Sequence, residues 1–461
     1  MTQQAYLQKP KKSQNLIPYS STPSFIQSIN QTTRTLKYLD TLSKQFGDCF
    51  RVGGKKSPVV CLSNPKAIEA VFTADSKLFE IGEGNKYFQF VLGENSVALQ
   101  DGANHTRMRQ LVTPAYRSMY QQFSYGQLIY DVTSRMTAQW TKKQPFLVNS
   151  YMREISLEII LKIVFGLDNP ERSHHYRRQF MAMLDSFEFA LDLESSLPLL
   201  VWQQMLRLPT WGGFGSWSRF NHQLQKTDQL IYDQIRERRQ QKNTEGNDVL
   251  SLLMSARDEA GKAFTERELR DVTMDFILGS TAVPLNLTWA LYWIHQSPTI
   301  EEKLRCELQS LGNQFDPQKI NQLPYLNAIF QETLRIYPTN PTFLRKLEAT
   351  MEIMDYHFEP GTVLMLCPYL THHREDLYAE PNCFQPERFL ERKFSRFEYL
   401  PFGGGHRSCI GMVFAQIQIK LVVATILSIF QLKIVNRHPI KPLHKGFFTE
   451  ASPSNLWMIC K

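Results

Sequence analysis

The spacing of apolar and polar positions changes character several times along the chain. Residues 1–35 are polar, with scattered Pro, Ser and Gln, and read as a poorly ordered lead-in. TLKYLDTLSKQFG then has helical spacing and stops at Gly47, and CFRVGGKKSPVVCLSN reads as two short strands around a Gly-Gly turn. From about residue 64 to 330 helical periodicity dominates. Near residues 340–370 the pattern turns strand-like, with Pro360-Gly361 as a turn signal, and it becomes helical again in GMVFAQIQIKLVVATILSIF. No repeat, low-complexity tract or linker divides residues 36–461. The pattern predicts a single, mainly α body with a small β portion.

One helix is predicted to be unusually long. Thr265 and Glu268 form a capping-box pattern, and the apolar period continues to about Gln296. Pro284 lies inside it. Its ring has no N–H for the Ser280 carbonyl, so a kink is expected near its centre. A kink of this kind serves packing as readily as function.

Composition narrows the class. The chain has 461 residues, 43% of them hydrophobic, which is enough for a large core. The net charge of +8 is spread along the sequence, without the basic block of a nucleic-acid tail; it suits docking of an acidic protein. Seven cysteines, an odd number with no CxxC pair, argue against a zinc site or a disulfide framework and fit a reducing cytoplasm. The N-terminal residues lack the apolar run of a signal peptide or anchor. No window reads as a transmembrane segment.

The chemistry concentrates in PFGGGHRSCIG, residues 401–411. A Walker loop is excluded because no lysine follows the glycines. A nucleophilic thiol needs an ordered base, and His406 is near Cys409 only in sequence. A thiolate ligand to a metal or haem iron is the third reading. Arg407 and the positive end of the following helix would both lower the Cys409 pKa, and glycines would let the backbone approach a macrocycle. For a lone cysteine, a buried free thiol is the plainer alternative.

Phe402-x-x-Gly405-x-Arg407-x-Cys409-x-Gly411 resembles the haem-binding loop of the cytochrome P450 superfamily, the haem-thiolate monooxygenases. Glu332-Thr-Leu-Arg335 resembles the ExxR helix of that family, and Pro386-Glu387-Arg388-Phe389 its PERF segment. The resemblance covers residue 35 to the end and is nearest to soluble bacterial members related to long-chain fatty-acid hydroxylases. It implies haem b, with Cys409 as the axial ligand of the iron. It also implies a cofactor pocket that includes Phe402, Gly403 and Gly411, and propionate contacts from His105, Arg109, Arg345 and Arg407. Glu332, Arg335 and Arg388 would form a buried structural triad. By themselves these charged residues would be read as surface ion pairs and solvated cations.

The resemblance further implies dioxygen as oxidant, a lipophilic, fatty-acid-like or terpenoid substrate to be hydroxylated or epoxidised, and electrons from a separate ferredoxin or flavoprotein. A monomer is expected, cytoplasmic or peripheral to a membrane surface. Phe88, Phe90, Val91, Leu92, Thr342 and Phe343 are candidate pocket residues, with an apolar access lid over residues 186–214; ordinary core packing is the competing reading for each. One departure stands out. The family has an acid–threonine pair in the kinked helix, whereas the aligned residues here are Gly279, Ser280, Thr281 and Ala282. Three functions follow: a monooxygenase in which Ser280, Thr281 or water substitutes; a peroxide-dependent or hydroperoxide-rearranging enzyme; or a non-catalytic haem sensor.

Overall fold

The computed structural model describes residues 16–121, 123–195, 215–241, 246–312, 315–445, 448–452 and 455–461. Its first helices are α1 (Ser24–Thr33) and α2 (Thr35–Phe46). The first of these falls within residues 1–35, where the sequence suggested a poorly ordered lead-in; residues 1–15 of that stretch lie outside the described residues. Its polar residues are tied down locally: Gln27 Nε2 donates to the Ser20 and Thr22 carbonyls at 3.2 and 2.7 Å, while its Oε1 accepts from Tyr38 at 2.7 Å. Satisfied polar groups take the place of an apolar core there.

Strands β1 (Cys49–Arg51), β2 (Val59–Leu62), β3 (Phe79–Glu80), β4 (Phe343–Leu347) and β5 (Val363–Leu366) form one sheet in the order β1-β2-β5-β4-β3. Only the β2–β5 pair is parallel. Helix α3 (Pro65–Thr73) follows β2 and is capped by Asn64, which accepts from the Lys66 amide. Alternation along β4 buries Arg345 and Leu347 and leaves Leu344 39% exposed.

The helical body contains α4 (Gly102–Gln121), α5 (Phe123–Thr137), α6 (Val148–Phe165), α7 (Pro170–Ser195) and α8 (Ser216–Gln241). It continues through α9 (Glu266–Gly279), α10 (Ala282–Gln296), α11 (Pro324–Ile336) and α12 (Met412–Ile429). Helices α6, α10 and α12 are apolar nearly all round and pack together at the centre, as such helices must in water. By length and hydropathy α12 could cross a membrane, contrary to the sequence reading, but most of it is buried within the protein. Among the described residues no other helix meets that test.

The long central helix is realised as α9 and α10 with a break at Ser280–Thr281. The capping box at its start is present: the Thr265 hydroxyl accepts from the Glu268 amide at 3.1 Å, and Glu268 accepts from the Thr265 amide at 2.8 Å. The break precedes Pro284, which therefore sits in the first turn of α10, where a missing N–H costs nothing. The Ser280 carbonyl accepts instead from Val283 at 3.1 Å.

Candidate functional site

The loop before α12 is folded by its glycines. Gly403 and Gly405 have φ of 68° and 65°, in the left-handed region. A side chain on Gly404 would lie 2.4 Å from the Phe72 ring. The Cys409 amide donates to the Phe402 carbonyl at 2.9 Å, which brings the cysteine back against the start of the loop. Behind it the amides of Gly411 and Met412 point at the sulfur and pull the thiol pKa down, as does Arg109. Burial is the larger effect and pushes it up, so the lowered pKa expected from sequence is not found in the free thiol. The Cys409 side chain is exposed, whereas Cys49, Cys61, Cys367 and Cys460 are buried. A thiol that is both desolvated and exposed looks into interior space, which is what an axial ligand requires and a packed free cysteine does not.

Beside this thiol the protein gathers cationic side chains around one acid. Arg407 donates to the carbonyls of Val97 and Gln100 and pairs with Asp101 at 2.5 Å. Its Nε is buried and finds no hydrogen-bond partner among the described residues. Arg109 donates to the Ser408 carbonyl at 2.8 Å. Arg345 is buried and, among the described residues, bonds only the Leu344 carbonyl and makes no ion pair; burial and the nearby Arg407 push its pKa down to about 10, against a smaller upward pull from Asp101. The buried His105 ring stands 5.8 Å from that of His406. Burial, then Arg407 and Arg109, lower the His105 pKa to about 3, so it is neutral near pH 7. The orphaned donor on Arg407 and the unpaired Arg345 charge fit a dianionic group set above an exposed sulfur, and the propionates of haem supply such a charge.

Glu332, Arg335 and Arg388, the expected triad residues, meet in one cluster. Arg335 grips Glu332 through two bonds of 2.7 and 2.9 Å, and Arg388 reaches the same carboxylate at 3.1 Å. Glu332 and Arg335 are wholly buried and Arg388 nearly so. Arg335 also donates to the His372 carbonyl at 2.8 Å, while His372 Nε2 accepts from the Leu400 amide at 3.0 Å. The triad thereby reaches the residue preceding Pro401 and the cysteine loop. His372, Asp101 and Ser408 were not anticipated from sequence. Asp101 lies 306 residues from Arg407, and nothing local in the sequence ties the two together.

At the central break, Gly279 is exposed and a side chain placed on it would meet nothing within 4 Å. The Ser280 hydroxyl donates to the Ile277 carbonyl at 2.6 Å and that of Thr281 to Leu278 at 2.7 Å. Both therefore bond back into α9; Ala282 carries no polar group. Of the expected pocket residues, Val91 and Leu92 lie in the helical core and Phe88 packs against it. Phe90 contacts Phe187, Trp217 and Phe220, with ring centroids 5.1 to 5.8 Å apart. Phe343 faces Gly403, and Thr342 is half-buried beside it. Leu344, within the Thr339–Leu344 stretch that the sequence also offers as pocket lining, is the exposed apolar residue of β4. Of the expected lid, residues 196–214 lie outside the described residues.

An inward-facing cysteine behind a glycine loop, a cationic cradle and a buried Glu–Arg–Arg triad define a haem-thiolate protein. The family model for cytochrome P450 matches residues 21–458, and the chain belongs to that family. It is thus a haem-carrying oxidoreductase of the monooxygenase type. Cytochrome P450 135B1 of Mycobacterium tuberculosis is 29% identical over 434 residues, covering 91% of this chain and 88% of its own. Cyclooctatin synthase of Streptomyces melanosporofaciens is 25% identical over 421 residues, covering 89% and 88%. Among solved structures, retinoic-acid-bound cyanobacterial CYP120A1 superposes with a TM-score of 0.81 at 22% identity, over 97% of this chain and 100% of that one. The haem domain of cytochrome P450DA gives 0.82 at 18% identity, over 97% and 98%, and the shared fold is what these two establish.

Proposed function

We propose that the protein inserts oxygen from dioxygen into a lipophilic, fatty-acid-like or terpenoid substrate, in the cytoplasm, as a monomer served by a separate ferredoxin or flavoprotein. The observation that carries this reading is the exposed, desolvated Cys409 sulfur beside a cradle with unpaired cationic donors. Cys409 would bind the iron, with the Gly411 and Met412 amides and Arg109 stabilising its negative charge; Arg345, Arg407 and His105 would hold the propionates. Haem, when bound, supplies the redox and oxygen-activating chemistry. The chain contributes position: the triad fixes the approach to the loop, Gly279 keeps the central helix clear of side chain, and Phe88, Phe90, Phe343 and Leu344 offer apolar surface for the substrate. The net charge of +8 favours an acidic electron donor.

A second reading, turnover of peroxide or of an organic hydroperoxide, is favoured by one observation. Neither Ser280 nor Thr281 has its hydroxyl proton free to pass on, since both are spent on α9 carbonyls. Anaerobic reduction under carbon monoxide tests the common core: a red-shifted thiolate-haem Soret band is expected, and it should vanish in Cys409→Ala. Absence of haem binding would overturn both readings. Product from dioxygen and a donor supports the first; product only with peroxide or hydroperoxide supports the second.

A further inference from the structure

Two aspartates one turn apart on α9, Asp271 and Asp275, take consecutive donors from the segment that precedes α4. Asp271 Oδ2 accepts from the Asn95 amide and from Asn95 Nδ2, both at 2.9 Å. Asp275 accepts from the Ser96 hydroxyl and, at 2.8 Å, from the Val97 amide. Gly93 is held so closely that an added Cβ would fall 1.9 Å from Asp271 Oδ1. Beyond this grip the same segment turns its other groups to the cysteine loop. The carbonyls of Val97 and Gln100 and the carboxylate of Asp101 are the acceptors of Arg407. Asp101 is fixed from the opposite side by the amides of Ile81 and Gly82, the latter at 2.7 Å.

We propose that Asp271 and Asp275 form a clasp on residues 93–101, and that Asp275 is a positioning residue that sets the Arg407 guanidinium beside the thiolate loop through that segment. Among the described residues Arg407 makes all of its hydrogen bonds to this one stretch, so its orientation follows the stretch. Asp275 holds the middle of the strap, next to Val97, whose N–H faces the clasp and whose C=O faces Arg407. Asparagine at position 275 can still accept from the Val97 amide and donate to the Ser96 oxygen. Alanine can do neither.

The test uses the full chain loaded with haem, and the Arg407 half of the inference rests on the haem reading above. Asp275→Ala should speed amide hydrogen exchange across residues 95–101 by about tenfold or more, the equivalent of the two hydrogen bonds it loses. Haem transfer to apomyoglobin should accelerate by a similar factor, about tenfold, and Asp275→Asn should restore both rates to near the parent values. In an Arg407→Lys background, Asp275→Ala should add nothing to haem loss, because the two residues act in series. Exchange within about twofold of the parent, or strictly additive haem loss, would overturn the proposal. Should Asp275→Ala not fold, Ser96→Ala removes a single bond of the clasp and should give the same localised exchange at about threefold. If the chain bound no haem, the functional reading would fall while the exchange measurement still decided the clasp.

Discussion

Arg345 holds its guanidinium over the ring of Phe72, 5.9 Å from the centroid, and makes no ion pair among the described residues, with Asp101 acting on it only from a distance. A cation–π contact offsets only part of the desolvation of a buried cation. Replacing Arg345 with leucine should therefore stabilise the haem-free protein by about 1–3 kcal/mol in urea unfolding. The same variant should retain haem less well, measured as transfer to apomyoglobin. Opposite signs in the two assays are the diagnostic result, since a merely structural arginine would move both the same way.

Phe72 also closes on the cysteine loop. Gly404→Ala places a Cβ 2.4 Å from its Cδ2 atom, and the buried ring has little room to retreat. Overpacking of this kind costs about 1–3 kcal/mol. Urea unfolding of the holoprotein should show it, and Phe72→Leu should relieve it in the double variant.

Glu332 neutralises two arginines in a dry site. Glu332→Ala strands both charges, and a loss of about 3–5 kcal/mol is expected, enough to leave little folded protein. Glu332→Gln, which keeps the acceptor oxygen without the charge, should lose less. Soluble yield and circular dichroism melting rank the two.

Asp275 gives a pH prediction of definite sign. Burial, reinforced by Asp271, raises its pKa from 3.8 to about 7, while Ser96, the Val97 amide and Arg270 pull the other way; Tyr116 on α4 feels its charge in turn. Between these values the folded protein holds a proton that the unfolded chain has released. Its contribution therefore falls as pH rises from about 4 to 7, by at most about 1.4 kcal/mol per pH unit, and is level above that range. Asp275→Asn should flatten this part of the stability profile relative to the parent, read as the difference between two urea series.

The residues that announce themselves in sequence are those whose spacing is local. Thr265 with Glu268, Glu332 with Arg335, and the glycines around Cys409 each make their decisive contacts within a few positions. The partners of Arg407 were invisible because they come from residues 97–101 and are mostly carbonyls, which every residue owns. Burial was the other hidden quantity. A helix dipole and an arginine predicted a lowered Cys409 pKa, yet desolvation, which no motif encodes, reverses the direction in the free thiol. The break in the central helix was foreseeable from Pro284, but its placement at Ser280–Thr281 depends on proline being tolerated in the first turn of a new helix.

The Arg407–Asp101 pair joins positions 306 residues apart. At synthesis rates of about 5–20 residues per second, its first half leaves the ribosome at least about 15 seconds before its second. Throughout that interval His105, Arg109 and the 93–101 strap have no cysteine loop to close upon. On the haem reading proposed above, capture through Cys409 therefore waits until residues 401–411 have been released. A nascent chain stalled before Cys409 should expose the apolar face that α12 later covers, which makes it a natural client for chaperones until α12 docks.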